Sequence, residues 1–71
     1  MEDQFISVSI NGQTRSVPPG GSVKDLLASL HISSDRVAVE LNKAIVRKRD
    51  WDEALVTSGA KIEIVEFVGG G

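Results

Sequence analysis

Apolar and polar positions alternate at the start of the chain. In residues 5–12, "FISVSING", Ile6, Val8 and Ile10 fall on one side and Ser7 and Ser9 on the other. A period of two predicts a half-buried strand. Asn11 and Gly12 close it with a hairpin turn, because both residue types tolerate positive φ. "QTRSV" then reads as a second strand with Val17 inward, ended by Pro18, Pro19, Gly20 and Gly21. There the period changes. Val23, Leu26, Leu27 and Leu30 recur at i, i+3, i+4 and i+7, one apolar stripe of a helix. Ser22 is a good N-cap, and Asp25 stands three residues on, where a carboxylate answers both the cap and the helix dipole. The predicted helix is "SVKDLLASLHI", with His31 in its last turn as a surface residue at the negative helix end.

Alternation resumes at "RVAVELN", where Val37, Val39 and Leu41 share a face. Asn42 and Lys43 turn the chain into a short strand at Ala44 to Val46. Asp50 and Glu53 have capping-box spacing, which predicts a short helical turn starting at Trp51, the only tryptophan and a natural packing anchor. Ser58 and Gly59 make the next turn, and "KIEIVEFV" is the last strand. A β-β-α-β-β-turn-β order predicts a two-layer α+β domain, with the helix laid across one face of the sheet.

Composition narrows the function more than the fold. At 71 residues the chain holds one domain. Such a domain buries only about 60% of the surface its unfolded chain exposes. A formal net charge of -2 supplies no basic field for nucleic acid or an anionic membrane. No apolar run approaches the roughly 20 residues that span a bilayer, and the acidic "MEDQF" start does not read as a secretory signal. There is no cysteine, which excludes a disulfide framework, a thiolate metal site and a cysteine nucleophile together. That usage fits a cytoplasmic protein. A single histidine cannot build a zinc cluster.

The candidate chemistry is correspondingly sparse. "RKR" at Arg47 to Arg49 is read either as a contact for an acidic partner or phosphate, or as a solvated loop; without interleaved aromatics it is a weak nucleic-acid signal. Glu40, Asp50, Asp52, Glu53, Glu63 and Glu66 form no spaced metal or acid–base set. Gly20-Gly21 precedes a helix but lacks the P-loop lysine, so it reads as a turn. No nucleophile, base and orienting group converge, and the chain is not expected to be an enzyme. Two features remain. Val65 and Phe67 of the last strand, with Phe5 at the start of the first, point away from the helix and are expected to form an apolar patch for partner docking. The second is the end, "VGGG". Residues 68–71 are expected to form a flexible tail, because glycines have no side chains to pack and termini fray unless tied down. Three glycines reach about 10 Å and can thread a narrow channel. They would deliver the α-carboxylate of Gly71, which becomes an acylating agent only once activated, for example by ATP as an acyl-adenylate. The tail therefore reads as a substrate for a partner's active site.

The helix "SVKDLLASL", the middle "VAVELNKAIVRKRDW", the strand "KIEIVEFV" and the terminal Gly-Gly resemble the ThiS family, the ubiquitin-like sulfur carriers of thiamine thiazole biosynthesis. The resemblance covers essentially the whole chain. It implies a β-grasp (ubiquitin-like) fold, a mixed sheet of four to five strands with one main helix, in which strand one lies between strand two and the last strand. It also implies a mechanism. An E1-like adenylyltransferase (ThiF type) uses MgATP to adenylate Gly71, with Gly69 and Gly70 as the threading segment. A cysteine desulfurase supplies persulfide sulfur that displaces AMP, and a thiazole synthase (ThiG type) takes sulfur from the resulting thiocarboxylate. ATP and magnesium would belong to the adenylyltransferase; no cofactor is expected on this chain. The alternatives are a carrier of the molybdopterin synthase small-subunit type, a ubiquitin-like modifier, and an interaction module.

Overall fold

The computed structural model describes residues 4–67. The predicted tail at 68–71 lies outside the described residues. The elements are β1 (Ile6–Ile10), β2 (Gln13–Val17), α1 (Val23–Ser29), β3 (Val37–Leu41), β4 (Ala44–Val46) and β5 (Lys61–Glu66), with 3-10 turns at Ser34–Arg36 and Lys48–Asp50. The strands form one five-stranded mixed sheet in the order β2-β1-β5-β3-β4. The last strand thus occupies the middle, parallel to β1 and antiparallel to β3. This is the β-grasp arrangement, with β1 between β2 and β5 as expected.

Both hairpins use the same kind of turn. Asn11 and Gly12 have φ of 50° and 84°, and Asn42 and Lys43 have 52° and 74°. Positive φ at both central positions is the type I′ turn, whose twist matches that of the flanking strands. Glycine takes this conformation without steric cost, whereas Lys43 holds a β-carbon in the left-handed region.

At the N-terminus of α1 the early amide groups all find partners. Asp25 N–H donates to Ser22 Oγ at 3.2 Å, and Ser22 N–H donates to Asp25 Oδ2 at 3.0 Å, the reciprocal capping box. Val23 N–H and Lys24 N–H reach the carbonyls of Ala54 and Trp51, at 2.8 and 3.2 Å. The helix stops earlier than its apolar stripe suggests. Leu30 is the C-cap, and His31 lies beyond it with φ 59° rather than in a last turn. His31 N–H donates to Ala28 O and Ile32 N–H to Leu27 O, at 3.1 and 3.0 Å. That pair of bonds is a Schellman motif, and it puts Ile32, partly buried, back against the core. Histidine is among the residue types that tolerate the left-handed position glycine usually fills.

α1 buries Val23, Leu26 and Leu27 against Val8, Ile10, Val39 and Ile62. Trp51 completes the core at 3% exposure, its indole N–H donating to Val46 O at 2.9 Å. The helical turn near it begins at Lys48, not at Trp51, and Arg47 at its N-cap makes no side-chain capping bond. Burial of the indole sets that turn; the Asp50–Glu53 spacing does not, and Asp50 contributes its backbone carbonyl to the amides of Glu53 and Ala54.

Two substitutions test this account. Ile62→Ala, at a side chain 1% exposed in the central strand, should cost about 2–5 kcal/mol. Lys43→Gly should instead raise stability by about 0.5–1 kcal/mol, relief of the left-handed backbone outweighing the added freedom of the unfolded chain. Urea unfolding midpoints at unchanged slope give both values.

Candidate functional site

The two faces of β5 have different surroundings. Ile62 and Ile64 turn toward α1, and Glu63, Val65 and Phe67 emerge on the opposite, uncovered face. Register identifies their neighbours. Val65 lies opposite Ala38, Glu63 opposite Glu40, and Glu40 in turn opposite Ile45. Residues directly opposite across a ladder share a face. Val65 and Phe67, 56% and 57% exposed, follow one another on this face, and Ile45, 73% exposed, lies two strands away in the row of Glu63 and Glu40. Beside them stand two carboxylates directly across from each other, a placement that weakens a sheet when nothing neutralises it. An apolar strip next to an acidic pair suits a partner that offers apolar side chains and a cation.

Phe67 remains tied to the sheet, its N–H donating to Arg36 O at 2.7 Å. Val65 and Phe67 thus sit together at the root of the tail. Phe5 does not join them. It is exposed, but Ser9 is level with Lys61; Phe5 precedes Ser9 by four positions and Phe67 follows Lys61 by six, so at ~3.3 Å per residue the two rings stand roughly 30 Å apart along the strands. The three-residue predicted patch is two separate surfaces. Ile45, which sequence reasoning passed over, lies on the same open face in the row of Glu63 and Glu40. A three-residue strand shows no period, although the two-residue turn before it sets Ile45 opposite Glu40 and hence outward. In "RKR", Lys48 pairs with Asp35 at 3.7 Å, both side chains well exposed, a surface contact of small worth.

Both turn asparagines also reach β5. Asn11 N–H donates to Ile62 O at 2.8 Å, while its side chain accepts from Ile64 N–H at 2.7 Å and donates to Ile64 O at 3.2 Å. Asn42 N–H donates to Lys61 O at 2.7 Å, and Asn42 Oδ1 accepts from Lys61 N–H at 2.9 Å. One type I′ residue in each hairpin grips the central strand.

A groove of about 740 Å³ opens between the end of α1 and the β1–β2 hairpin, with Arg15, His31, Ile64 and Glu66 among its lining. The hydroxyl of Ser29 there is committed to Leu26 O at 2.8 Å. Among the described residues no group of three or more His, Asp or Glu side chains is placed to hold a metal ion, and no helix is long and apolar enough to cross a membrane.

The ThiS family model matches residues 8–71. The sulfur carrier protein ThiS of Bacillus subtilis is 45% identical over 51 residues, covering 72% of this chain and 77% of that protein. A thiazole synthase of Paramagnetospirillum magneticum is 44% identical over 62 residues, covering 87% of this chain and 19% of that protein. This chain spans about a fifth of the length of the thiazole synthases it matches. The crystal structure of the thiamine biosynthesis protein (ThiS) of Geobacter metallireducens superposes with a TM-score of 0.79 at 29% identity, covering 93% of this chain and all of that one.

The open face makes a discriminating prediction. Val65→Glu or Phe67→Glu should leave the melting transition cooperative, since both side chains are already more than half exposed. Each should weaken binding of any protein that docks on this face roughly tenfold or more, about 1.4 kcal/mol. Phe5→Glu, at the far end, should leave that affinity unchanged. Isothermal titration of the three variants measures it.

Proposed function

The chain belongs to the ThiS family, and we infer that it is a sulfur carrier protein of thiamine biosynthesis whose cargo is loaded on the Gly71 carboxylate. The observation that carries this is the family match itself, which runs from residue 8 through the terminal glycines of a chain that has no cysteine. Without a thiol the chain cannot hold transferable sulfur as a persulfide. Its C-terminal carboxyl is the group whose chemistry can take sulfur up and give it back.

In this reading the chain is the substrate of other enzymes and performs no catalysis itself. A carboxylate with a reference pKa of about 3.5 is ionised at neutral pH and is a poor acyl donor. An E1-like adenylyltransferase of the ThiF type attaches it to the α-phosphorus of ATP, magnesium and nucleotide both being held by the enzyme, and pyrophosphate leaves. The outer sulfur of a cysteine desulfurase persulfide attacks the acyl carbon and AMP leaves, which gives an acyl disulfide. A thiol of a partner protein or a small thiol then attacks the desulfurase-side sulfur, forms a disulfide with it and releases the thiocarboxylate. A thiazole synthase then receives the sulfur. Relatives of this chain that bear the thiazole synthase name support that partnership. Val65, Phe67 and Ile45 supply the docking contact in the same reading, and Gly69 and Gly70 the thread between that contact and the reacting carbon. Phe5 lies apart from this contact and serves, if any, a separate one.

Deleting Gly71 tests the reading. The shortened chain still ends in a carboxylate, so any loss comes from reach. One residue spans about 3.5 Å, and about 1 Å of misplacement can cost ~100-fold in rate. ATP–pyrophosphate exchange with the adenylyltransferase should fall at least that far while the urea midpoint stays unchanged. Gly70→Ala keeps the length but adds a methyl group, and it should also impair exchange strongly. Adenylation of the deleted chain at the full rate would show that Gly71 is not the positioned group.

A further inference from the structure

The two edges of β5 are held unequally at the root of the tail. On the β3 edge the ladder runs to its end, with Glu66 opposite Val37 and Phe67 N–H bonded to Arg36 O. On the β1 edge the strand partner stops at Ile10, level with Ile62. Beyond that level, among the described residues, the grip on this edge is the Asn11 side-chain amide, which takes Ile64 by both its N–H and its C=O. The amide imitates one more residue of β1. Its orientation follows from its partners, since an N–H needs the carbonyl oxygen and a C=O needs the NH₂.

We propose that Asn11 is a positioning residue for activation of the terminal carboxylate: its amide holds Ile64 and so fixes the direction in which the chain leaves the sheet. The proposal rests on the carrier reading above. The direction of the backbone at the end of β5 is set by the last element gripped on both edges. With the amide in place that element reaches Ile64. Without it the element ends at Ile62, and the segment from there to Phe67 is held on the β3 edge alone, free to twist about it. The carboxylate then searches a larger volume, and a smaller fraction of docked complexes places it for attack. Docking is largely retained, because Val65 and Phe67 keep their β3-side bonds and so their place on the sheet, while a small twist there is amplified with distance along the chain. The effect belongs on kcat and not on KM.

Asn11→Gly keeps the positive φ of the turn and removes the amide. Asn11→Asp keeps an acceptor for Ile64 N–H but turns a second oxygen toward Ile64 O. Gly12→Ala is the control, since it strains the same turn at φ 84° and leaves the amide intact. The measurement is ATP–pyrophosphate exchange as a function of carrier concentration, below every variant's melting temperature, together with amide hydrogen exchange. For both Asn11 variants kcat should fall about threefold to tenfold with KM unchanged. In Asn11→Gly the Ile64 amide should also exchange faster while that of Ile62 does not. Gly12→Ala should lose stability and keep its kcat. The inference is overturned if Asn11→Gly keeps its kcat, if Ile64 exchange does not change, or if Gly12→Ala loses kcat alongside Asn11→Gly. Any of these with an active wild type leaves the carrier reading standing. A wild-type chain that supports no exchange removes the carrier reading, and this inference with it.

Discussion

Insertion of the last strand into the middle of the sheet is the interaction on which the rest of this molecule depends. β5 pairs in parallel with β1 and antiparallel with β3, and both hairpins would be separate ribbons without it. A lone two-stranded hairpin is marginal in water. Joining two of them through a shared strand creates the continuous face that α1 covers, and Ile62, at the centre of that face, is 1% exposed. In the proposed carrier reading, the most heavily paired strand is also the one that leads to the terminal glycines.

The turn asparagines show how little sequence this requires. A type I′ turn selects asparagine for its tolerance of positive φ. At Asn11 and Asn42 the same residues also bond to β5, at Ile64 and Lys61. The backbone requirement and the side-chain bond act together, since the left-handed turn is what leaves each side chain beside the central strand. β5 is thereby held near both its ends by residues that lie far from it in the chain.

Much of the fold could be read from local pattern. Alternation at Ile6, Val8 and Ile10, the i, i+3, i+4 stripe of α1 and the Ser22–Asp25 capping box each encode a short-range requirement, and each appears in the structure. Tertiary needs decided the rest. Leu30 continues the apolar stripe, yet the helix ends there because Ile32 must fold back onto the core through a left-handed His31. The Asp50–Glu53 spacing resembles a cap, but the buried indole of Trp51 set that turn. Parity told which face Phe5, Val65 and Phe67 occupy; it could not tell where along the face, since that depends on the β1–β5 register. Asn11 was legible as a turn residue, and that sufficient explanation hid its bonds to Ile64.

The central claim is that the carboxyl end of this chain carries sulfur. The most direct test is the intact mass of the protein recovered from cells that are making thiamine, with fragmentation to place any change. The account predicts a population in which one oxygen is exchanged for one sulfur, located at Gly71 and lost when the adenylyltransferase is absent. A terminus that keeps both oxygens under those conditions, or sulfur found elsewhere in the chain, would contradict it.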